Sequence, residues 1–207
     1  MSAKLIARSI LLTLVGGVAW LWFSGRTIHH PPGVLLPDPP VQKDIVQKPL
    51  PDVKGWSLTA VAEYRLRARV LDTRRYRTGR DAALVPVDVA VGWGRMSDEA
   101  VLDRLSLSMS NRFFFYEWPD RPPIPQDEIE RSAANNHVIS ANGTVRRVIA
   151  SLRPGHILTM KGYLVNARGP DGGNWSTSLR RDDTGKGACE LFYVESASAA
   201  TSPDDGF

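Results

Sequence analysis

Between Trp56 and Val70 every second residue is apolar: Trp56, Leu58, Ala60, Ala62, Tyr64, Leu66, Ala68 and Val70. Side chains of an extended chain point alternately to the two sides of a sheet, so a period of two over this length demands a long β-strand with one face in a core. A helix would scatter the same residues around its circumference. The intervening Glu63, Arg65, Arg67 and Arg69 give the strand a wet, basic face. A bend or break is expected near Ala60 to Ala62.

The remaining pattern is mostly of the same kind. Leu84 to Val91 reads as a second strand with Val85, Val87, Val89 and Val91 on one face; Pro86 cannot donate to a ladder and so predicts an edge position or a bulge, with Asp88 on the proline's face. Ser97, Asp98 and Glu99 form a helix-start signal for a short helix to Leu105. Leu105, Leu107 and Met109 then alternate into Asn111 to Trp118, an aromatic run expected in one or two buried core strands. After a loop over Pro119 to Pro125, a short helix is predicted over Gln126 to Ala133. Val145, Val148, Ile149 and Leu152 have the spacing of an amphipathic helix that Pro154-Gly155 ends. Strands follow over Ile157 to Val165, Trp175 to Leu179 and Cys189 to Val194, the first two joined by the turn Gly169 to Gly173. The fold class is therefore mixed α+β and β-rich: a small antiparallel sheet or an OB-like, partly closed barrel with short helices.

Length and hydropathy set the organisation around that domain. With 207 residues the chain has room for one ordinary domain and accessory segments. From Leu5 to Phe23 it is apolar apart from Arg8, Ser9 and Thr13, about enough helix to cross a bilayer, with Trp20 and Trp22 placed for an interfacial belt. Lys4 and Arg8 precede this core, so the positive-inside rule predicts a single-pass helix in a bacterial inner membrane, N-terminus in, with the rest in the periplasm. A cleaved signal peptide, with Gly17 and Ala19 before the cut, is the alternative; it would leave a greasy new terminus at Trp20. The expected divisions are a cytoplasmic N-terminus (1–4), a transmembrane signal-anchor (5–24), a Pro-rich linker (25–53), a soluble extracytoplasmic domain (54–196) and a disordered tail (197–207). The single cysteine, Cys189, rules out an intramolecular disulfide. A net charge of +4 is too mild to imply nucleic acid.

Chemistry is concentrated in the polar stretch from Ser176 to Glu190. Gly185 and Gly187 would let backbone amides approach an anion, but the spacing is not that of a P-loop. The ligand-binding candidates are Trp93, Arg112, Asn136, Trp175, Ser178, Arg181, Thr184 and Lys186. His137 is the candidate general base, with Asp183 or Cys189 as companion; Asp88, Asp182, Asp183 and Glu190 are the acids that could converge on it. His29-His30 reads as exposed linker with no role, and His137 lacks a second histidine at ligand spacing, so no metal and no cofactor are expected. No G-x-S-x-G elbow occurs.

One set of motifs carries a resemblance. Trp93-Gly94 with Met96-Ser97-Asp98, Ser132-Ala133-Ala134-Asn135-Asn136-His137, and Arg181-Asp182-Asp183-Thr184-Gly185 with Gly187-Ala188-Cys189-Glu190 resemble a family of uncharacterised membrane-anchored bacterial proteins, over most of the chain to about Val194. The resemblance implies an address and no activity. The functional expectation is a noncatalytic binding or accessory module of the cell envelope, partnered by the inner membrane and an envelope protein or polymer. The alternatives are an envelope hydrolase or transferase built on His137, and nucleic-acid binding through an OB-like face bearing Arg65, Arg67 and Arg69.

Overall fold

In the computed structural model, which describes residues 26–180 and 188–204, the alternating run lies within β2 (Trp56–Arg75). Its length lets it pair with three other strands, all antiparallel. β1 (Val41–Val53) and β3 (Val87–Gly92) follow one another along one edge, and β7 (Ile157–Arg168) runs along the other. β3 pairs in turn with β6 (Ala133–Ser140), β6 lies parallel to β9 (Glu190–Ala200), and β9 is antiparallel to β7. Strands β2, β3, β6, β9 and β7 thus pair in a ring that the β2–β7 ladder closes, and β1 and β8 (Asn174–Trp175) extend the seven-stranded sheet. The hairpin β4 (Ser106–Ser110) and β5 (Phe113–Glu117) is a separate two-stranded sheet.

The principal core fills the ring. Tyr64, Leu66, Ala68 and Val70 meet Val87, Val89 and Val91, Val138, Leu158, Met160 and Leu164, and Phe192 and Val194. Burying each of the larger side chains is worth about 1.5–3 kcal/mol. Three α-helices, α1 (Glu99–Leu102), α2 (Gln126–Arg131) and α3 (Gly143–Ser151), and two single-turn 3-10 helices, Arg80–Ala83 and Gly94–Ser97, complete the described regular structure. The Asn142 side chain caps α3 by accepting from the Thr144 and Val145 amides, and Val145, Ile149 and Leu152 close the core on that side.

The irregularity expected near Ala60 is a bulge. Ala60 pairs with Val165 and Ala62 with Leu164, so Val61 is an extra residue on β2. The bulge exchanges the faces of the strand. Ahead of it Trp56 and Leu58 pack with Leu84, Val85, Val165, Leu191 and Tyr193; beyond it Tyr64 and Leu66 point into the ring. A second crowded point lies at Gly162, where a Cβ would sit 2.0 Å from the Tyr193 carbonyl oxygen, beside a register shift in the β7–β9 ladder.

Several expectations are corrected. Pro86 immediately precedes β3, which is interior between β2 and β6; the proline's carbonyl accepts from the Tyr76 amide. Residues 41–53, read as spacer, form β1: Pro49 and Pro51 are two apart, so both missing donors fall on one side of a strand whose described partner is β2 alone. Residues 26–40 are not a free spacer either. Ile28 and the Gly94 amide bond across to Pro154 and Leu36, and Leu35 and Leu36 donate to the Ser97 hydroxyl, so Asp98 rather than Ser97 caps α1. Residues 197–200, read as tail, extend β9, where Ala197 packs on the core. Residues 133–140, to which the alternation assigns no strand, form β6, and the predicted strand from Trp175 to Leu179 does not extend beyond Trp175. The aromatic run is a half-exposed hairpin rather than interior core: Phe114, Tyr116 and Trp118 pack against a satellite cluster around Met96 and Ile129, while Phe115 is 45% exposed. Among the described residues no helix is long and apolar enough to cross a membrane; the proposed anchor, 5–24, lies wholly outside them.

Candidate functional site

Residues directly opposite one another in a ladder share a face of the sheet. Val89, Asn136 and Glu190 form one such row and Asp88, His137 and Leu191 the next. Val89 faces the interior of the ring, so Asp88 and His137 lie on its outer side. Both are nonetheless buried, by the β4–β5 hairpin and by Trp175.

The hairpin delivers Arg112. Ser110 pairs with Phe113, leaving Asn111 and Arg112 as a two-residue loop with φ of 49° and 71°. That is the type I′ pattern, which suits the twist of the flanking strands but forces Arg112 into a conformation most side chains avoid. What holds it there is a dense set of contacts. Arg112 Nη1 donates to Asp88 Oδ1 at 2.8 Å and to the Val85 carbonyl at 3.0 Å, and its own amide donates to the Tyr76 hydroxyl at 3.1 Å. The guanidinium lies 3.6 Å from the centre of the Tyr76 ring, close enough for a cation–π contact. Burial, and then the Asp88 charge, push the Tyr76 phenol above its ordinary range, so it remains protonated.

His137 Nδ1–H donates to the same Asp88 Oδ1 at 2.9 Å. This bond fixes the tautomer, leaving Nε2 as the ring's acceptor nitrogen. The Trp175 ring centre is 4.9 Å from the imidazole and 5.7 Å from the Arg112 guanidinium. Cys189 completes the cluster: Asn135 Nδ2 donates to its sulfur at 3.5 Å, and the thiol lies 3.8 Å from the Arg112 carbonyl, which also accepts from Asn135 at 2.8 Å. These groups border a cleft of about 310 Å³ whose walls include Arg80, Phe113, Asn174 and Ser176. Chemically the cleft offers aromatic surface, amide and hydroxyl groups, two guanidiniums and an imidazole oriented by a carboxylate.

Of the residues singled out in the sequence, Arg112, His137, Trp175 and Cys189 therefore meet in one cleft. Three do not. Trp93 is part of the interior core, with its amide bound to the Ser132 carbonyl. Asn136 is next to His137 and so faces the other way, fully buried, its amide group without a hydrogen-bond partner among the described residues. Ser178 is buried in the approach to β9, where its amide donates to the Cys189 carbonyl at 3.1 Å. Arg181, Asp183, Thr184 and Lys186, with Asp182, lie outside the described residues. Among the proposed acids, Asp88 and Glu190 stand on opposite faces of the sheet. Tyr76, Arg80, Phe113 and Asn135 were not anticipated. The signal for the hairpin that brings Arg112 in was present, as two residues, Asn111-Arg112, between two alternating runs.

The row of arginines on β2 is also not one wet face. Arg69 is 2% exposed and paired with Glu99, and Arg67 donates to the Pro203 carbonyl. His29, read as idle linker, donates from Nδ1 to Glu99 at 2.6 Å. With Asp103 these two bring donor atoms within 4.8 Å of one another, but Glu99 is already engaged by Arg69 and the His30 amide. Burial by itself would raise the Glu99 carboxyl; hydrogen bonds from His29, Arg69 and the His30 amide outweigh it and bring it down to about 2.

Comparison with protein-family models, with curated proteins and with solved structures finds no match to this chain, so the family resemblance of its motifs gains no support there.

Proposed function

We propose that the ring of strands is an OB-like barrel and that the chain is a noncatalytic binding module of the bacterial cell envelope, anchored through 5–24 and taking its ligand over β3 and β6. The observation that carries this reading is the position of the cleft. Counted from β2, β3 and β6 are the second and third strands of the ring, and the cleft on their outer face is flanked by the β2–β3 connection, with Arg80, and by the segment between β7 and β9, with Trp175 and Cys189. In OB-folds that face and those two loops bind oligonucleotides and oligosaccharides. The test is co-sedimentation of the detergent-solubilised full chain with purified envelope polymer. Binding is expected for the wild type and at least about tenfold weaker when Trp175 and Phe113 are both changed to Ala, a loss typical of removing central aromatic anchors. Equal sedimentation of the two proteins would overturn the reading.

The Asp88–His137 pair favours a second reading, a hydrolase or transferase in which His137 activates Cys189. The Cys189 sulfur accepts from the Asn135 amide and lies beside the Arg112 carbonyl. The two readings separate on thiol reactivity. If His137 activates the thiol, His137→Gln slows alkylation of Cys189 by iodoacetamide near neutral pH by about tenfold or more; an unchanged rate removes the enzyme reading.

A further inference from the structure

Among the described residues, the cationic side chains that line the cleft are already matched. Arg80 is paired with Asp81 at 3.2 Å and with Asp171 at 2.9 Å, Arg112 with Asp88 at 2.8 Å, and His137 with the same carboxylate. Among the described residues of the cleft, each cationic side chain therefore has a carboxylate partner. A phosphate chain gains much of its affinity when protein cations neutralise its phosphates and its condensed counterions are released into solution. Here it would first have to break existing ion pairs, one of them on a carboxylate that is fully buried.

What the cleft presents instead is uncharged. Trp175 and Phe113 are half-buried, with ring surface left towards the opening, and Phe115 continues the aromatic surface 6.3 Å beyond Phe113 along the hairpin. Asn174 and Ser176 flank Trp175 and are exposed. An amide and a hydroxyl each both donate and accept, as does a guanidinium taken together with its carboxylate. Ring faces bordered by groups of mixed donor and acceptor character complement a polyhydroxylated ring, whose C–H face is apolar and whose edge carries hydroxyls.

Resting on the reading of the cleft as a binding site, we infer that its ligand is a neutral oligosaccharide, with a sugar ring stacked on Trp175 and its hydroxyls bound by Asn174, Ser176 and the paired Arg80. This selects between the two polymer classes that such a face takes, because an aromatic platform serves bases and sugars alike and only the charge balance separates them.

The experiment uses the full chain in nonionic detergent, titrated by calorimetry with chitopentaose, cellopentaose, maltopentaose and an oligothymidylate, each at low and high sodium chloride. At least one pentasaccharide is expected to bind, with affinity changed less than about twofold by salt, whereas polyanion binding falls by orders of magnitude. Trp175→Ala is expected to weaken it by about tenfold or more. Because Trp175 also packs on the core, Ser176→Trp, at an exposed position, serves as a second variant that obstructs the cleft and leaves the thermal transition unchanged. Binding of the oligothymidylate in preference to all three sugars, steeply salt-dependent and lost with Ser176→Trp, overturns the sugar assignment while leaving the cleft a binding site. Binding of neither class overturns both.

Discussion

Arg112 sits at φ 71° without the glycine that such a position favours, and the contacts around it account for its persistence. Asp88 is the hinge of that arrangement, since one of its oxygens accepts from both Arg112 and His137 in a fully buried position. Removing the carboxylate leaves a guanidinium with little water and no counter-charge. Asp88→Ala is therefore expected to destabilise the domain by about 3–5 kcal/mol, the range for breaking a buried pair from one side. Urea denaturation of the two proteins measures it, and a difference below about 1 kcal/mol would show that the pair does not hold the hairpin. At this scale the sequence was partly legible. His137, Arg112, Trp175 and Cys189 are residues whose chemistry marks them wherever they stand. Asp88 was visible only as one acid among several, because its importance comes from β3 being placed beside β6, a pairing that no local pattern encodes. Trp93 and Asn136 show the opposite failure: their side-chain chemistry is just as suggestive, but the parity of their positions turns them into the core.

The segment ahead of β1 is the element whose reading changed most. Prolines at this density do stiffen the chain and keep it out of regular structure, and residues 27–40 have none; yet absence of helix or strand is not absence of docking. His30 donates from Nε2 to the Gly155 carbonyl at 2.7 Å, Gly33 donates to Asp98 at 2.8 Å, and Ile28 packs so closely on Gly155 that a Cβ there would meet its carbonyl oxygen at 2.0 Å. Glu99 is the anchor of this strap. Its carboxyl titrates near 2 in the folded chain against an ordinary 4.5, so the stability it contributes is complete above about 4.5 and is lost as the pH falls towards about 2. Thermal melts over that interval are expected to show a steeper fall for the wild type than for Glu99→Gln, and limited proteolysis is expected to cut near Arg26 to Pro32 as the strap is released. Parallel slopes for the two proteins would separate Glu99 from the strap's attachment. The strands, by contrast, were legible wherever alternation ran uninterrupted, as in β2 and β7. β6 was obscured because its buried outer positions are Asn135 and His137, polar residues where the pattern expects apolar ones.

For the molecule as a whole, the β-rich mixed class followed from counting alternating runs, while a partly closed barrel stood only as an alternative to an open antiparallel sheet, because alternation does not say which strands pair. Closure depends on β9 entering parallel to β6 and antiparallel to β7, a choice made by shape and by packing of Phe192 and Val194 against distant residues such as Tyr64, whose ring centre is 5.0 Å from that of Phe192. β9 spans residues 190–200, so the ring acquires its fifth member only from the last stretch of the described chain. Contacts of such long sequence separation form late and slowly. On the ribosome the sheet therefore stays open, with Tyr64 and its neighbours on β2 unsealed, until residues 190–200 have been made and can slot between β6 and β7.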